Sequence, residues 1–239
     1  MKESKRKMFN QDLFIYDEET HTGTYEGKPV PSVTQLLEVL FPMNENIPQK
    51  RIEQAADRGT TIHDAIEQLN EYFDNPFDYQ HNIDVAIEVA EKVASYKNIP
   101  ELIDYVSFIA TYKLRPFDYE NLIFLLDENG ELICFGHYDC VFQATQDITV
   151  GETDLFREDY LYMFDFKTTS LFAKKKTQLQ TSIYSLAYEQ MSKNFISNIY
   201  GLWLRDNSAK LIPLNRQDNN YVIELCKQLK TLWLNTLNQ

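Results

Sequence analysis

The chain has 239 residues, 44% of them apolar and 13% aromatic, with 23 basic against 36 acidic side chains and a net charge of −13. That is enough apolar material for one sizeable core or two smaller ones, while the acidic balance excludes a coat protein that holds nucleic acid by charge alone. It does not exclude an enzyme that contacts nucleic acid locally and offsets its carboxylates with a divalent cation.

No run of about 18 apolar residues suits a membrane span, and the basic start Met1–Lys7 has no apolar run behind it, so a secretory signal is not expected. Cys134, Cys140 and Cys226 form no CxxC pair. Their odd count argues against a zinc ribbon or a disulfide framework and suits a reducing cytoplasm.

In chain order, residues 12–32 read as a small hairpin: Leu13–Tyr16 is one strand, a second starts at Gly23, and Gly27–Pro31 breaks the pattern. This marks residues 1–31 as an N-terminal extension to a single domain over 32–239. Ser32 or Thr34 can cap a short helix, Gln35–Leu40, which Pro42 ends. Arg51–Arg58 is predicted helical. Gly59 interrupts it, and Thr60 or Thr61 caps a new helix from Ile62 to about Phe73, with Ile62, Ala65, Ile66 and Leu69 inward. His63 and Glu67, four apart, share a face of that helix, an arrangement that in isolation reads first as a surface pair. Asp74-Asn75-Pro76 stops it, and Asp84–Tyr96 is a further amphipathic helix.

Alternation of Val106, Phe108, Ala110 and Tyr112 predicts a strand over 105–114, and Asn121–Leu126 a second. Asp127-Glu128-Asn129-Gly130 is a hairpin turn, returning as a strand over Leu132–Phe142 that contains Asp139. The acidic segment 143–159 reads as a long loop or an extended hairpin tip. Six of the eight residues from 160 to 167 are aromatic, Leu or Met, which predicts a strand. Ala173 to about Ser192 is a helix, followed by strands at 199–204 and 210–214. A last helix over 219–237 has Val222, Leu225, Leu229, Leu232 and Leu237 inward.

Two apolar strands thus carry acids, Asp139 in one and Asp165 in the other. Alternation puts Asp165 and Lys167 on one face, with Phe164 and Phe166 on the opposite face. Taken alone, Asp165-Phe166-Lys167 is better explained by a structural ion pair. If the two strands are antiparallel neighbours, Asp139 and Asp165 lie side by side, and two such carboxylates repel unless a cation bridges them or one takes a proton. Oxygen ligands with one imidazole, His63, suit Mg²⁺ or Mn²⁺ better than zinc. Such a metal beside a lysine fits phosphodiester hydrolysis, with Lys174, Lys175 and Lys176 placed to hold a nucleic-acid backbone or simply to solvate a helix start.

The ordered set Arg58-Gly59-Thr60-Thr61-Ile62-His63 with Glu67, Gly136-His137-Tyr138-Asp139, Asp165-Phe166-Lys167-Thr168 and Gln180-Thr181-Ser182-Ile183-Tyr184 resembles the PD-(D/E)xK nucleases. Within them it is most similar to the RecB-like branch, which includes phage recombination exonucleases, over about residues 30–205. The resemblance implies an α/β (α+β) fold with a central mixed sheet flanked by helices, the restriction-endonuclease-like core. It implies that His63, Asp139 and Asp165 bind Mg²⁺ or Mn²⁺ with the carbonyl of Phe166, and that Lys167 is the catalytic lysine. Gln180 and Tyr184 would be the helix motif near DNA, and Glu67 an extra acid.

The implied activity is a deoxyribonuclease, an exonuclease of recombination, repair or phage replication acting on linear duplex ends or single strands. Implied with it are a recombination or single-strand-binding protein partner, a homo-oligomer such as the rings of some relatives, no membrane, and the cytoplasm of a bacterium or of a phage host. Three features depart from the family pattern. The usual Pro-Asp is replaced by Gly136-x-x-Asp139, Asp139 and Asp165 are 26 positions apart, a spacing that against the family implies an insertion over 143–159, and three scattered cysteines cannot hold the iron–sulphur cluster of some relatives. No helicase P-loop is present. Two alternatives stand beside this: a catalytically silent DNA- or protein-binding module on the same fold, and an RNA-directed or structure-specific nuclease.

Overall fold

The computed structural model describes residues 9–18, 20–42, 48–72, 78–92, 99–205 and 207–237. The fold is α+β. A five-stranded mixed sheet carries helices on both faces. Its order is β12 (Ala209–Leu214), β11 (Ile196–Leu204), β10 (Leu161–Lys167), β7 (Cys140–Ala144), β4 (Leu114–Tyr119). Only β10 and β11 run parallel, and they are joined by the crossover helix α5 (Lys174–Ser192), as a parallel pair requires. No described helix is long and apolar enough to cross a membrane.

Alternation along β10 sorts its side chains as expected. Tyr162, Phe164 and Phe166 enter the core under α2 (Gln49–Tyr72), α3 (Tyr79–Lys92) and α4 (Ile99–Tyr112). Met163 enters the core under α1 (Val33–Leu40), α5 and α6 (Asn219–Thr236). The first core is aromatic: Phe164 meets Phe142 edge-on and stacks on Tyr200, and Phe156 is edge-on to Tyr200 and tilted against Phe164, packing worth about 0.5–1.5 kcal/mol per pair beyond burial.

Several expectations are corrected. Residues 49–72 form one helix, and Gly59 does not interrupt it. Thr61 is not a cap, because its hydroxyl donates to the Asp57 carbonyl one turn back at 2.8 Å. The helix is pinned across Gly59 by Arg58, which donates to the Thr168 carbonyl at 2.9 Å and pairs with the buried Glu101. Asp74-Asn75-Pro76 and the end of the next helix lie outside the described residues. That helix, α3, begins at Tyr79 rather than Asp84, and Ile87 faces outward.

The segment 105–114 is mostly the helix α4 rather than a strand. Leu102, Tyr105, Val106 and Ile109 are fully buried, and their i, i+3, i+4, i+7 spacing is the helical period that the alternating residues masked. The strand expected over 132–142 is two: β6 (Leu132–His137) pairs with β5 (Leu122–Leu126), and β7 joins the main sheet after a break at Tyr138-Asp139. The segment 143–159 holds a hairpin, β8 (Ile148–Val150) with β9 (Thr153–Phe156). In α6 the inward stripe is Val222, Cys226 and Leu229, while Leu232 and Leu237 are exposed.

The N-terminal segment makes a three-stranded sheet, because Lys28–Val30 forms a third strand where a break was expected. Its strands are β1 (Phe14–Asp17), β2 (Thr22–Tyr25) and β3 (Lys28–Val30). It docks through Phe14, Tyr16 and Val30 onto Phe124, Leu132 and Phe135 of the β5–β6 pair. Gly23 permits the approach, since a Cβ there would lie 2.5 Å from both Phe14 and Phe135. Ser32 caps α1 in a reciprocal capping box with Gln35.

Candidate functional site

Strand β10 ends where β7 begins, so the polar residues of both meet at one end of the sheet. Register pairs Phe164 with Cys140, which places Asp139 next to the Asp165–Phe166 segment. The contact is direct: the Phe166 amide donates to Asp139 Oδ2. Asp165 is 1% exposed. Its Oδ2 lies 2.7 Å from the Lys167 ammonium, while Oδ1 has no hydrogen-bond partner. Burial, with the neighbouring Asp139 adding to it, pushes the Asp165 carboxyl up to about 6, against the pull of Lys167. Burial works against the charge on Lys167, but Asp165 and Asp139 outweigh it and hold the ammonium above the ordinary lysine value.

Lys167 is steered from the helix side. It donates to Gln180 Oε1 at 3.3 Å, and Gln180 Nε2 donates to the Tyr184 hydroxyl at 3.1 Å. Gln180 and Tyr184 lie one turn apart on α5, so their side chains meet. Tyr184 is buried, which raises its hydroxyl well above the ordinary range and keeps it neutral. Its ring lies against Gly136, where a Cβ would come within 2.7 Å of Tyr184 Cε1. The glycine of the Gly136-x-x-Asp139 motif therefore makes room for the tyrosine of the helix motif.

From the opposite face, α2 delivers His63, whose Nδ1 lies 3.4 Å from Asp139 Oδ1 and 3.9 Å from Glu120 Oε1. Single ligand atoms of His63, Glu120 and Asp139 all fall within 4.8 Å of one another. Burial disfavours the charged ring, but Asp139 and Glu120 raise His63 to about 9. Burial and then Asp139 lift Glu120 to about 8. Asp139 stays below the ordinary carboxylate value: burial opposes this, and His63, Lys167 and the Phe166 amide bring it about. The imidazole of His63 and the carboxylate oxygens of Glu120 and Asp139 form a donor set that fits Mg²⁺ or Mn²⁺, and Asp165, with its partnerless Oδ1, falls outside that group.

Glu120 was not singled out from the sequence. It sits in the acidic turn Asp118-Tyr119-Glu120-Asn121 between two strands, where an acid is ordinary. Its backbone is held in the left-handed region, at φ 49°, and its amide donates to the Asp139 carbonyl at 3.2 Å. That conformation is uncommon for a non-glycine residue.

Glu67 stands apart from the cluster, half-buried one turn beyond His63. Burial and then Asp64 and Glu71 raise its carboxyl. Phe166 contributes its amide to Asp139 and its ring to the aromatic core, 6.0 Å from the His63 ring. Lys174 and Lys175 are exposed and Lys176 half-buried in the first turn of α5, whose N-terminus has no side-chain cap. A cleft of about 610 Å³ opens over the site, lined by His63, Glu120, Lys167 and Thr168 and, from the N-terminal sheet, by Tyr16 and His21.

No protein-family model matches the chain, and no curated protein sequence matches it. Among solved structures it is similar to one titled "Crystal structure of SSO0001", at 10% identity over 84% of this chain and 83% of that one, with a TM-score of 0.36. A likeness at that level carries no argument about function.

Proposed function

We propose that the chain is a metal-dependent DNA nuclease of the PD-(D/E)xK type, an exonuclease of recombination, repair or phage replication. The observation that carries this reading is the convergence of Asp139, Asp165 and Lys167, with His63 and Glu120, at one strand end beneath an open cleft. His63, Asp139 and Asp165, joined by Glu120, are the residues that would hold Mg²⁺ or Mn²⁺. When bound there, the metal would polarise a phosphate oxygen and acidify a water.

The chain's own groups supply the rest. Lys167 is charged at neutral pH, so it acts as a donor: it orients the attacking water and offsets charge building on the phosphate. Gln180 and Tyr184 fix its head group. The lysines opening α5 sit at the positive end of the helix dipole, an arrangement that disfavours them until an anion arrives. A backbone phosphate beside the scissile bond is the natural anion. This reading places the protein in the cytoplasm of a bacterium or phage host, working beside a recombination or single-strand-binding protein.

The test is incubation of the purified chain with linear and circular DNA in Mg²⁺ or Mn²⁺. Linear DNA is expected to be shortened and closed circles spared. Lys167→Ala is expected to lower the rate at least about 100-fold, the scale on which loss of a positioned transition-state donor is felt. Cleavage that persists unchanged in Lys167→Ala would sink the assignment.

A further inference from the structure

We propose that the N-terminal sheet is a substrate-holding element, and that Tyr16 with His21 and His137 forms a stacking platform for one unpaired base next to the scissile phosphate. The nature of the ligand rests on the nuclease reading; the platform itself rests on geometry. Tyr16, on β1, donates to or accepts from His21 Nδ1 at 2.9 Å. Its ring lies 5.2 Å from that of His137 and 5.7 Å, edge-on, from that of Phe135. Three rings from two separate sheets are thereby gathered beside the cleft that contains His63, Glu120 and Lys167. A second, adjoining cleft of about 380 Å³ shares Tyr16, His21 and His137 and reaches Tyr184.

His21 occupies the turn joining β1 to β2, with φ at 50°. Exposed and conformationally costly, it is nonetheless fixed by the Tyr16 hydroxyl, and such outliers persist where the surroundings over-determine them. His137 Nε2 is buried without a hydrogen-bond partner. Gly23 locks the sheet against Phe135, so the platform is held at a fixed distance from Lys167 rather than carried on a free arm.

The chemistry recognises a base. Aromatic and imidazole faces stack on any of the four, and the exposed His21 imidazole can meet its polar edge. In a duplex those faces are covered by neighbouring bases, so only a base freed from its stack can use the platform. A single strand, or a frayed end, is therefore the preferred ligand.

The experiment is anisotropy of a labelled single-stranded oligonucleotide with Ca²⁺, in a Lys167→Ala background that prevents cutting. Tyr16→Ala and His21→Ala are each expected to weaken binding about tenfold, the scale of one base–aromatic stack. Tyr16→Phe keeps the ring and is expected to lose less. An oligonucleotide with one abasic position at the platform is expected to bind the parent about tenfold more weakly, and Tyr16→Ala to weaken it no further. Additive losses at every abasic position, or variants that bind like the parent, overturn the platform. Tyr16→Ala can loosen the sheet from Phe135, but His21 is exposed, so loss in His21→Ala with an unchanged melting temperature supports the platform even then. A parent that binds through Tyr16 yet cuts no DNA in its Lys167 form refutes the nuclease and supports the platform. Cutting and single-strand binding that ignore both variants refute the platform alone.

Discussion

Gly136 shows how much a single atom can decide. Its missing Cβ leaves the space that the Tyr184 ring occupies, with Val33 Cγ2 next nearest at 3.2 Å. Gly136→Ala must push Tyr184 aside, and Tyr184 is the last link of the chain that steadies Lys167 through Gln180. The substitution is expected to destabilise the fold by about 1–3 kcal/mol, the usual range for overpacking, and to reduce activity by more than the unfolded fraction explains. Urea denaturation beside initial rates would separate the two. At this scale the sequence was informative where a side chain's own position carried the anomaly. Asp165 and Lys167 on an apolar strand were visible because alternation leaves them nowhere else to go. Glu120 was not, because an acid in a turn is unexceptional until the fold sets it 3.9 Å from His63.

Among the elements, α2 does the most positioning. Arg58 clamps it to the end of β10 at the Thr168 carbonyl and to α4 at Glu101, so the helix delivers His63 to the strand end one turn later. Arg58→Ala leaves the Glu101 carboxylate buried and without its cation. A loss of about 1–3 kcal/mol is expected, measurable as a lower urea midpoint, together with weaker Mn²⁺ binding as His63 drifts from Asp139. The clamp also explains why Gly59 ends nothing: tertiary contacts on either side outweigh the roughly 1 kcal/mol that a helical glycine loses to alanine. The helix α4 is hidden in the sequence for a different reason. Val106, Phe108, Ala110 and Tyr112 alternate, yet only the 3.6-residue period joins Leu102, Tyr105, Val106 and Ile109 into the face that is actually buried. Short apolar stretches satisfy both periods. Nothing local in the sequence marks the break at Tyr138-Asp139; it arises where β6 leaves for β5 and β7 turns into the main sheet.

For the whole molecule, protons and the divalent cation proposed above would compete for one cluster. His63 titrates at about 9, Glu120 at about 8 and Asp165 at about 6 in the folded chain, against ordinary values near 6.5, 4.3 and 3.9. All three are raised, so the folded state binds more protons than the unfolded state between about pH 4 and pH 9. Stability then falls as pH rises through that interval. Asp139, whose value is lowered, works the other way, but its contribution is lost only in more acid solution. The metal-free protein in EDTA is expected to melt at a lower temperature at pH 9 than at pH 6. Mn²⁺ is expected to raise the melting temperature more at pH 9, where it displaces fewer protons. An equal or smaller rise at pH 9 would show that the ion binds elsewhere.

The hydrogen bond from the Phe166 amide to Asp139 spans 27 positions of chain, and the β8–β9 hairpin lies between them. Sequence length between the two acids is thus uncoupled from their distance in space, which β-register alone dictates. Closing a flexible loop costs only about 0.6 kcal/mol more for each doubling of its length. The tip at Gly151, with φ 64° and nothing within 4 Å of a Cβ there, is accordingly a free port. A peptide tag or small reporter domain spliced in after Gly151 should leave the proposed cleavage and the melting temperature nearly unchanged, giving a handle for tethering the protein away from the candidate site.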